Sequence, residues 1–192
     1  MTNCYDDFKC ARLLVPLDHT DKNGAKATIA IQIYPATERN PSKYKGIIMF
    51  NPVCKPTISP SSRAYPTQGG PGGSGTDSIT DNGPDMAQLV GPEYDIVSFD
   101  PRGTGHTLPL AQCFSVEQWT DWAPNEVLSF DRRQDVAMYL ARSEIVARKC
   151  LDALGEEGKG PGYFLDTGSV VNDMVEIMKA LGQKKMSFLG VS

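Results

Sequence analysis

The sequence predicts an α/β fold in which a mostly parallel sheet follows an antiparallel hairpin. Three observations support this prediction. Two strand patterns flank a short polar turn near the N-terminus. Continuous apolar runs recur further along the chain, and helical patterns separate the last of these runs from the earlier ones. With 192 residues, the chain has enough material for one domain with a sizeable core.

The first predicted strands form the hairpin. Residues 10–17, CARLLVPL, predict a strand that ends at a proline, and residues 26–34, KATIAIQIY, alternate as a half-buried strand does. The Asn-Gly pair in the polar segment between them is typical of a tight turn. Residues 46–51, GIIMFN, and 93–100, EYDIVSFD, are continuous apolar runs, which indicates strands covered on both faces.

Helical patterns follow. A short helix is predicted near 84–91, and a longer one over 130–154 carries an apolar stripe of Val136, Tyr139, Leu140, Ile145, Val146 and Leu151. Another helix begins near Thr167 or Ser169 as its N-cap and ends at Gly182. Its predicted apolar face consists of Val170, Val171, Met174, Ile177, Met178 and Leu181. The segment KMSFLGV then predicts the final strand.

Composition and charge exclude several classes of function. The net charge is −4 without a basic block, so no nucleic-acid partner is expected. No apolar run reaches the roughly 20 residues of a membrane span, and Met1 is followed by polar residues rather than by a signal peptide. Five cysteines without a C-x-x-C pair, and only two histidines, predict no metal site and favour disulfides in an oxidising compartment.

The glycine-rich stretch 69–75, GGPGGSG, follows a predicted strand, so its backbone N–H groups can approach a ligand. A phosphate-binding P-loop is excluded because no lysine follows. Gly70, Gly72 and Gly75 match a dinucleotide-binding fingerprint, and Asp100 ends the next strand. However, a proline interrupts the turn, no clear helix follows Gly75, and the acid comes about 30 rather than about 20 residues later.

Two other interpretations of the same stretch stay open on these residues alone. One is a plain glycine-rich turn. The other is an oxyanion hole, which needs a nucleophile elsewhere in the chain. The C-terminal sequence KKMSFLGVS places Ser192 after a strand, in the first half of the G-x-S-x-G turn that presents a nucleophilic serine.

The order of these motifs resembles the α/β-hydrolase family. The stretches FNP, GGPGGSG, YDIVSFDPRGTGHT and SFLGVS follow one another as in its prolyl and tripeptidyl aminopeptidase branch, serine peptidases of family S33. VPLDH near the N-terminus and DMVEIMKALG near the C-terminus resemble the secreted tripeptidyl aminopeptidase type. The resemblance covers the chain except residues 53–68.

The resemblance implies roles for particular residues. Ser192 matches the nucleophile, and Gly70 matches the donor of the oxyanion loop. Asp100 and Arg102 match a supporting turn, in which the arginine is expected to bond carboxylate or carbonyl groups beneath the site. Thr107 stands where the family usually has serine, so a hydroxyl is retained.

The resemblance also implies disulfides and a location. Cys113 and Cys150 fit one disulfide, and Cys4 and Cys10 could close a small N-terminal loop. The substrate is expected to be a peptide, no cofactor is implied, and the family is secreted, although no signal peptide precedes this chain.

A serine nucleophile needs a base, and this fold supplies its Asp and His after the serine. Both are expected beyond residue 192. His19 and His106 are expected to be ordinary turn or surface residues. The chain is therefore interpreted as the N-terminal part of an α/β-hydrolase domain, inactive alone and without the cap domain.

Residues 53–68, VCKPTISPSSRAYPTQ, separate FNP from the glycine-rich stretch, which follow each other directly in the family. A retained intron in the gene model is the hypothesis for these 16 residues, because a long unstructured loop is uncommon at such a place. A surface insertion is the alternative. A transcript without these codons would distinguish them.

The predicted function is a serine hydrolase that releases residues or short peptides from peptide N-termini. An esterase or lipase-like member of the same fold is the first alternative, whereas an epoxide hydrolase would have aspartate in place of Ser192. A dinucleotide-binding module that uses Gly70, Gly72 and Gly75, and a non-catalytic fragment, are the alternatives from other classes.

Overall fold

The computed structural model describes residues 1–5, 7–38, 40–51, 73–115, 117–118, 132–155 and 160–190. The chain divides into two compact units. The first consists of Met1–Leu110 with Asp166–Ser192, and the second of Ala111–Leu165. The interpretation of residues 53–68 as an insertion concerns a segment outside the described residues.

The strands are β1 Thr2–Cys4, β2 Phe8–Pro16, β3 Lys26–Tyr34, β4 Gly46–Asn51, β5 Tyr94–Phe99 and β6 Ser187–Gly190. The helices are α1 Gly75–Val90, α2 Arg133–Leu154 and α3 Thr167–Ala180, with a 3-10 helix at Pro161–Phe164.

All six strands form one sheet of the first unit, in the order β1-β2-β3-β5-β4-β6. β4 pairs with β5 and β6 in parallel, whereas the β1–β2, β2–β3 and β3–β5 pairs are antiparallel. The α/β class and the N-terminal hairpin are therefore confirmed. The sheet is mixed: β5, β4 and β6 form its parallel half, and the antiparallel half includes β1, which the sequence pattern did not predict.

Strand boundaries follow the apolar patterns closely. β3 and β4 span residues 26–34 and 46–51, as predicted, while β2 begins at Phe8, two residues before its predicted start. That early start lets β2 pair with β1, and the Cys4–Cys10 disulfide links the same two strands.

The sheet of the first unit has an apolar core on each face. Successive residues of a strand point to opposite faces, so Met49 and Val97 join the core beneath α3, while Phe50 and Ile96 join the core beneath α1. Ile177 brings α3 into the first core and is fully buried. The continuous apolar runs of β4 and β5 are thus explained by helices on both sides of the sheet.

The helix after the glycine-rich stretch is longer than predicted. α1 begins at Gly75, not near residue 84, and Ser74 caps it by accepting from the N–H of Asp77 at 3.0 Å. Gly83 and Pro84 interrupt its apolar periodicity, which is why the sequence pattern indicated only the last turns. The sequence-based argument that no helix follows Gly75 was wrong.

α3 has the predicted extent but a different N-cap. The side chain of Asp166, not that of Thr167 or Ser169, accepts from the N–H of Ser169 at 3.1 Å. Gly182 follows the helix with a positive φ of 70°, as expected of a helix-terminating glycine.

The second unit contains α2 and the 3-10 helix. The Cys113–Cys150 disulfide joins α2 to the segment that precedes it in this unit. The apolar stripe predicted for α2 is largely exposed in Tyr139, Leu140, Ile145 and Leu151. None of the helices described in either unit is long and apolar enough to cross a bilayer.

Candidate active site

The carboxyl ends of three parallel strands meet at one edge of the sheet in the first unit. β4 lies between β5 and β6, and Met49 pairs with Val97 while Asn51 pairs with Gly190. The chain leaves β4 for a neighbour on one side and later returns on the other side. Open α/β sheets bind their ligands at such a switch point, outside the carboxyl ends of the strands.

Asp100 follows β5 at this edge and is completely buried. One of its oxygens accepts from the Ser74 hydroxyl at 2.9 Å and from the Thr76 N–H at 2.8 Å. The other accepts from the Thr76 hydroxyl at 3.1 Å and from the His106 N–H at 2.7 Å. These four residues, the Asp100 cluster, join the start of α1 to the turn after β5.

Two glycines allow this close approach. A β-carbon at Gly105 would lie 2.2 Å from the nearer Asp100 oxygen, and its φ of +53° also disfavours most side chains. A β-carbon at Gly75 would lie 2.2 Å from the carbonyl oxygen of Phe99. The first turn of α1 therefore lies directly against the end of β5.

Thr107 closes the turn with its hydroxyl. The side chain is fully buried, donates to the Asp100 carbonyl at 2.7 Å and accepts from the Ala30 N–H at 2.9 Å. The hydroxyl that stands in place of the family's serine thus ties the turn to β3.

Arg102 lies in the same turn and points toward α3. Its Nε is 2.5 Å from one oxygen of Asp173 and its Nη2 is 2.8 Å from the other, which is a two-pronged ion pair. The guanidinium also donates to the carbonyls of Pro16, at 2.7 Å, and Leu17. Both charged side chains are almost completely buried. Arg102 therefore binds both kinds of group expected of it, a carboxylate and backbone carbonyls.

His19 belongs to this ion pair and is not an ordinary turn residue, which corrects the prediction. Its Nε2 lies 2.9 Å from Asp173 Oδ1 and 2.8 Å from Arg102 Nη2. Its side chain is only 17% exposed. His19, Arg102 and Asp173 form the Arg102 cluster, in which a ring nitrogen can donate to the carboxylate or accept from the guanidinium.

His106 is exposed, as predicted. Its Nε2 lies 3.4 Å from Asp77 Oδ1, and both side chains are more than half exposed. Its backbone fixes the turn, because the N–H donates to Asp100 and the carbonyl accepts from Arg12 at 2.7 Å.

Gly70, Gly72 and Ser192 lie outside the described residues, so their predicted roles stay predictions. The structure does show the elements next to them in the chain. The glycine-rich stretch leads into Ser74 and α1, which the Asp100 cluster holds, and Ser192 follows β6 by two residues.

The structure supports one feature of the dinucleotide-binding alternative, the helix, but not the other, the acidic residue. α1 does begin at Gly75, as the fingerprint requires. However, such an acid must hydrogen-bond a ribose hydroxyl, whereas Asp100 is fully buried and both its oxygens accept from protein donors. The described residues also contain no group of three or more His, Cys, Asp or Glu side chains that could hold a metal ion.

Sequence reasoning missed Ser74, Thr76 and Asp173. Asp173 did carry a signal, because it lies on the apolar stripe of α3, three residues after Val170 and four before Ile177. A carboxylate at such a position needs a buried partner. The two hydroxyls showed no comparable signal, because short polar residues are common at helix starts.

The chain was compared with known proteins. No protein-family model matches it. It is 29% identical over 190 residues to the tripeptidyl aminopeptidase of Streptomyces lividans, which covers 96% of this chain and 30% of that protein. It is 27% identical over 183 residues to the serine protease Hip1 of Mycobacterium tuberculosis, which covers 95% of this chain and 31% of that protein.

Carboxylesterase B of Mycobacterium tuberculosis is 26% identical over 173 residues, which cover 90% of this chain and 29% of that protein. The chain thus spans about a third of the length of the curated relatives it matches. These relatives align along nearly the whole chain and confirm its resemblance to the α/β-hydrolase serine peptidases.

Proposed function

We propose that the protein carrying this chain is a serine hydrolase that releases residues or short peptides from peptide N-termini. Ser192 is the nucleophile, and the N–H of Gly70 binds the oxyanion. The observation that carries the proposal is the common edge at which β4, β5 and β6 end. The glycine-rich stretch follows β4 and the serine follows β6, so both lead away from this edge.

The proposed reaction is acyl transfer. Ser192 Oγ bonds to the scissile carbonyl carbon while its proton passes to a histidine base. When the carbonyl re-forms, the C–N bond breaks and the amine leaves with that proton. Water then bonds to the acyl carbon and gives a proton to the histidine, the C–Oγ ester bond breaks, and the serine takes up that proton. Backbone donors at the oxyanion stabilise the charge that develops in both steps.

The base is proposed to come from outside residues 1–192. The sequence contains two histidines, and both precede Ser192, whereas this fold supplies its base after the serine. His19 contacts the buried ion pair, and His106 contacts Asp77. The 192-residue polypeptide alone is therefore proposed to be inactive, because a serine hydroxyl without a base is a weak nucleophile.

A location outside the reducing cytosol is part of the proposal. Two disulfides, Cys4–Cys10 and Cys113–Cys150, are present, and disulfides persist in oxidising compartments. The peptidase relatives support a peptide as the partner of this site.

An esterase is the second candidate, and the observation that favours it is the similarity to carboxylesterase B. Ester and peptide hydrolysis use the same nucleophile and oxyanion hole. They differ in the pocket and in the leaving group, which the described residues do not define.

The test compares substrates and one serine substitution in the complete gene product. We expect a tripeptide p-nitroanilide with a free amino terminus to be cleaved faster than its N-acetylated counterpart, and we test a p-nitrophenyl ester beside them. Ser192→Ala is expected to lower kcat/KM by about 10³-fold or more. Ser187→Ala, an exposed serine of β6, is the matched control and should change it less than about twofold.

Each outcome separates the candidates. Hydrolysis of the ester without cleavage of either anilide would favour the esterase, and equal cleavage of free and acetylated peptides would contradict release from N-termini. Full activity of Ser192→Ala would remove the serine from the mechanism.

A further inference from the structure

The eight-residue turn from Asp100 to Thr107 holds two separate parts of the first unit. Asp100 binds Ser74 and Thr76 at the start of α1, which follows the glycine-rich stretch. Arg102, two residues later, binds Asp173 in α3. The segments after β4 and before β6 are therefore attached to neighbouring residues of a single turn.

α3 is coupled to β6 by a short connection. The helix ends at Ala180 and the strand begins at Ser187. The connection is itself bonded to the end of the helix, because the N–H groups of Gly182 and Gln183 donate to α3 carbonyls at 2.9 and 3.0 Å. A shift of α3 along the sheet is therefore passed on to β6.

The apolar packing of α3 supplies no directional bond. Ile177 is fully buried in the core, and further apolar side chains of the helix pack against that core partly buried, but hydrophobic contact is not directional. The Arg102–Asp173 pair is directional, because a planar guanidinium meets both oxygens of one carboxylate. The guanidinium is fixed in turn by the carbonyls of Pro16 and Leu17 and by its contact with His19.

We infer that Arg102 and Asp173 are positioning residues. They set the position of β6 along the strand direction relative to the start of α1, and so the position of the serine that follows β6. The inference rests on the proposed hydrolase function. It differs from a role in stability alone, since it assigns the ion pair an effect on turnover that apolar packing of equal stability cannot supply.

The test uses two variants of the complete gene product. In Arg102→Met/Asp173→Leu both charges are removed together, which avoids an uncompensated buried charge. Arg102→Lys keeps the charge and loses the two-pronged geometry. For both we expect kcat to fall between about tenfold and a hundredfold, with KM within about twofold, because a small displacement of a reacting group has effects of this size.

The matched control is an ion pair on the same helix that is much more exposed. Glu176 and Lys179 lie 2.8 Å apart, and their side chains are 42% and 60% exposed. Glu176→Gln/Lys179→Met should leave kcat and KM unchanged. Circular dichroism and the thermal midpoint establish that each variant is folded under the assay conditions.

The outcomes distinguish the inference from the proposed function. An unmodified protein that hydrolyses none of the substrates overturns both. An active protein whose Arg102→Lys or double variant keeps its full kcat overturns the positioning role alone. A rise in KM with unchanged kcat also overturns it, because that result assigns the pair to substrate binding.

Discussion

Asp100 and Asp173 are both buried carboxylates of the first unit, but their charges are balanced in different ways. Among the described residues, the donors to Asp100 are neutral, namely two hydroxyls and two backbone N–H groups. Asp173 faces the guanidinium of Arg102 and the ring of His19. The comparison shows that one carboxylate is held by fixed dipoles and the other by a counter-charge, so the two should respond differently to the same substitution.

The largest loss of unfolding free energy is expected when Asp173, the carboxylate with a counter-charge, is replaced. Asp173→Asn removes the counter-charge that the described residues supply to the buried Arg102 guanidinium, which costs about 3–5 kcal/mol. The double variant Arg102→Met/Asp173→Leu should lose only about 1–2 kcal/mol, mainly because the carbonyls of Pro16 and Leu17 lose a donor. Urea unfolding measures both. Equal losses in the two proteins would show that the counter-charge is not what makes Asp173 indispensable.

The next largest loss of unfolding free energy is expected at Asp100, the carboxylate held by neutral donors. One Asp100 oxygen accepts from the N–H of Thr76 and the other from the N–H of His106. Asparagine has a single acceptor oxygen, so in either orientation its amide NH₂ faces a backbone donor. We expect Asp100→Asn to lower the free energy of unfolding by about 2–3 kcal/mol.

Asp95 is the matched control for Asp100→Asn. Its carboxylate accepts from the Ala36 N–H at 2.7 Å and from the Tyr44 hydroxyl at 2.8 Å. An asparagine can keep its oxygen toward Ala36 and donate to the tyrosine oxygen instead. Asp95→Asn should therefore cost under about 1 kcal/mol, and a loss as large as that of Asp100→Asn would contradict the explanation from donor geometry.

The smallest effect concerns a third carboxylate, Asp95, which contacts the half-exposed Tyr44. Burial, and then the hydrogen bond to Asp95, raise the pKa of Tyr44 from its ordinary value of 10.0 to about 12. Because the folded pKa lies above the unfolded one, this contribution to stability is complete below pH 10 and is lost as the pH rises from 10 to about 12. The difference in tyrosinate absorbance between the protein and its Tyr44→Phe variant follows this titration, because the chain has seven tyrosines.

Asp95→Asn should lower the pKa of Tyr44, because it removes the negative charge next to the hydroxyl. An unchanged Tyr44 pKa in this variant would assign the shift to burial alone.

Sequence patterns predicted the parts of the fold in which one periodicity dominates. β3 alternates and β4 is continuously apolar, and both have their predicted bounds. α3 has its predicted extent because its apolar stripe repeats without interruption. α1 was predicted only in part, because Gly83 and Pro84 interrupt its apolar periodicity and its first turn is also held by a contact between Thr76 and Asp100, 24 residues apart.

The candidate site was predictable as a set of motifs but not as a network. The turn with Asp100 and Arg102 could be identified by resemblance. Its partner Asp173 lies 71 residues from Arg102, and periodicity gives the face of a helix without identifying what covers it. His19 was misjudged for the same reason, since its segment is a polar turn and only the fold brings it to the ion pair.

The tight fit between Gly105 and Asp100 has an evolutionary consequence. The space that a β-carbon would need at residue 105 is filled by a carboxylate oxygen 2.2 Å away, and Ser74 lies 3.1 Å away on the same side. We therefore expect the two positions to be inherited as one unit, because a side chain at residue 105 requires the loss of the buried acid. Exposed members of this turn, such as the side chain of His106, are free of this constraint.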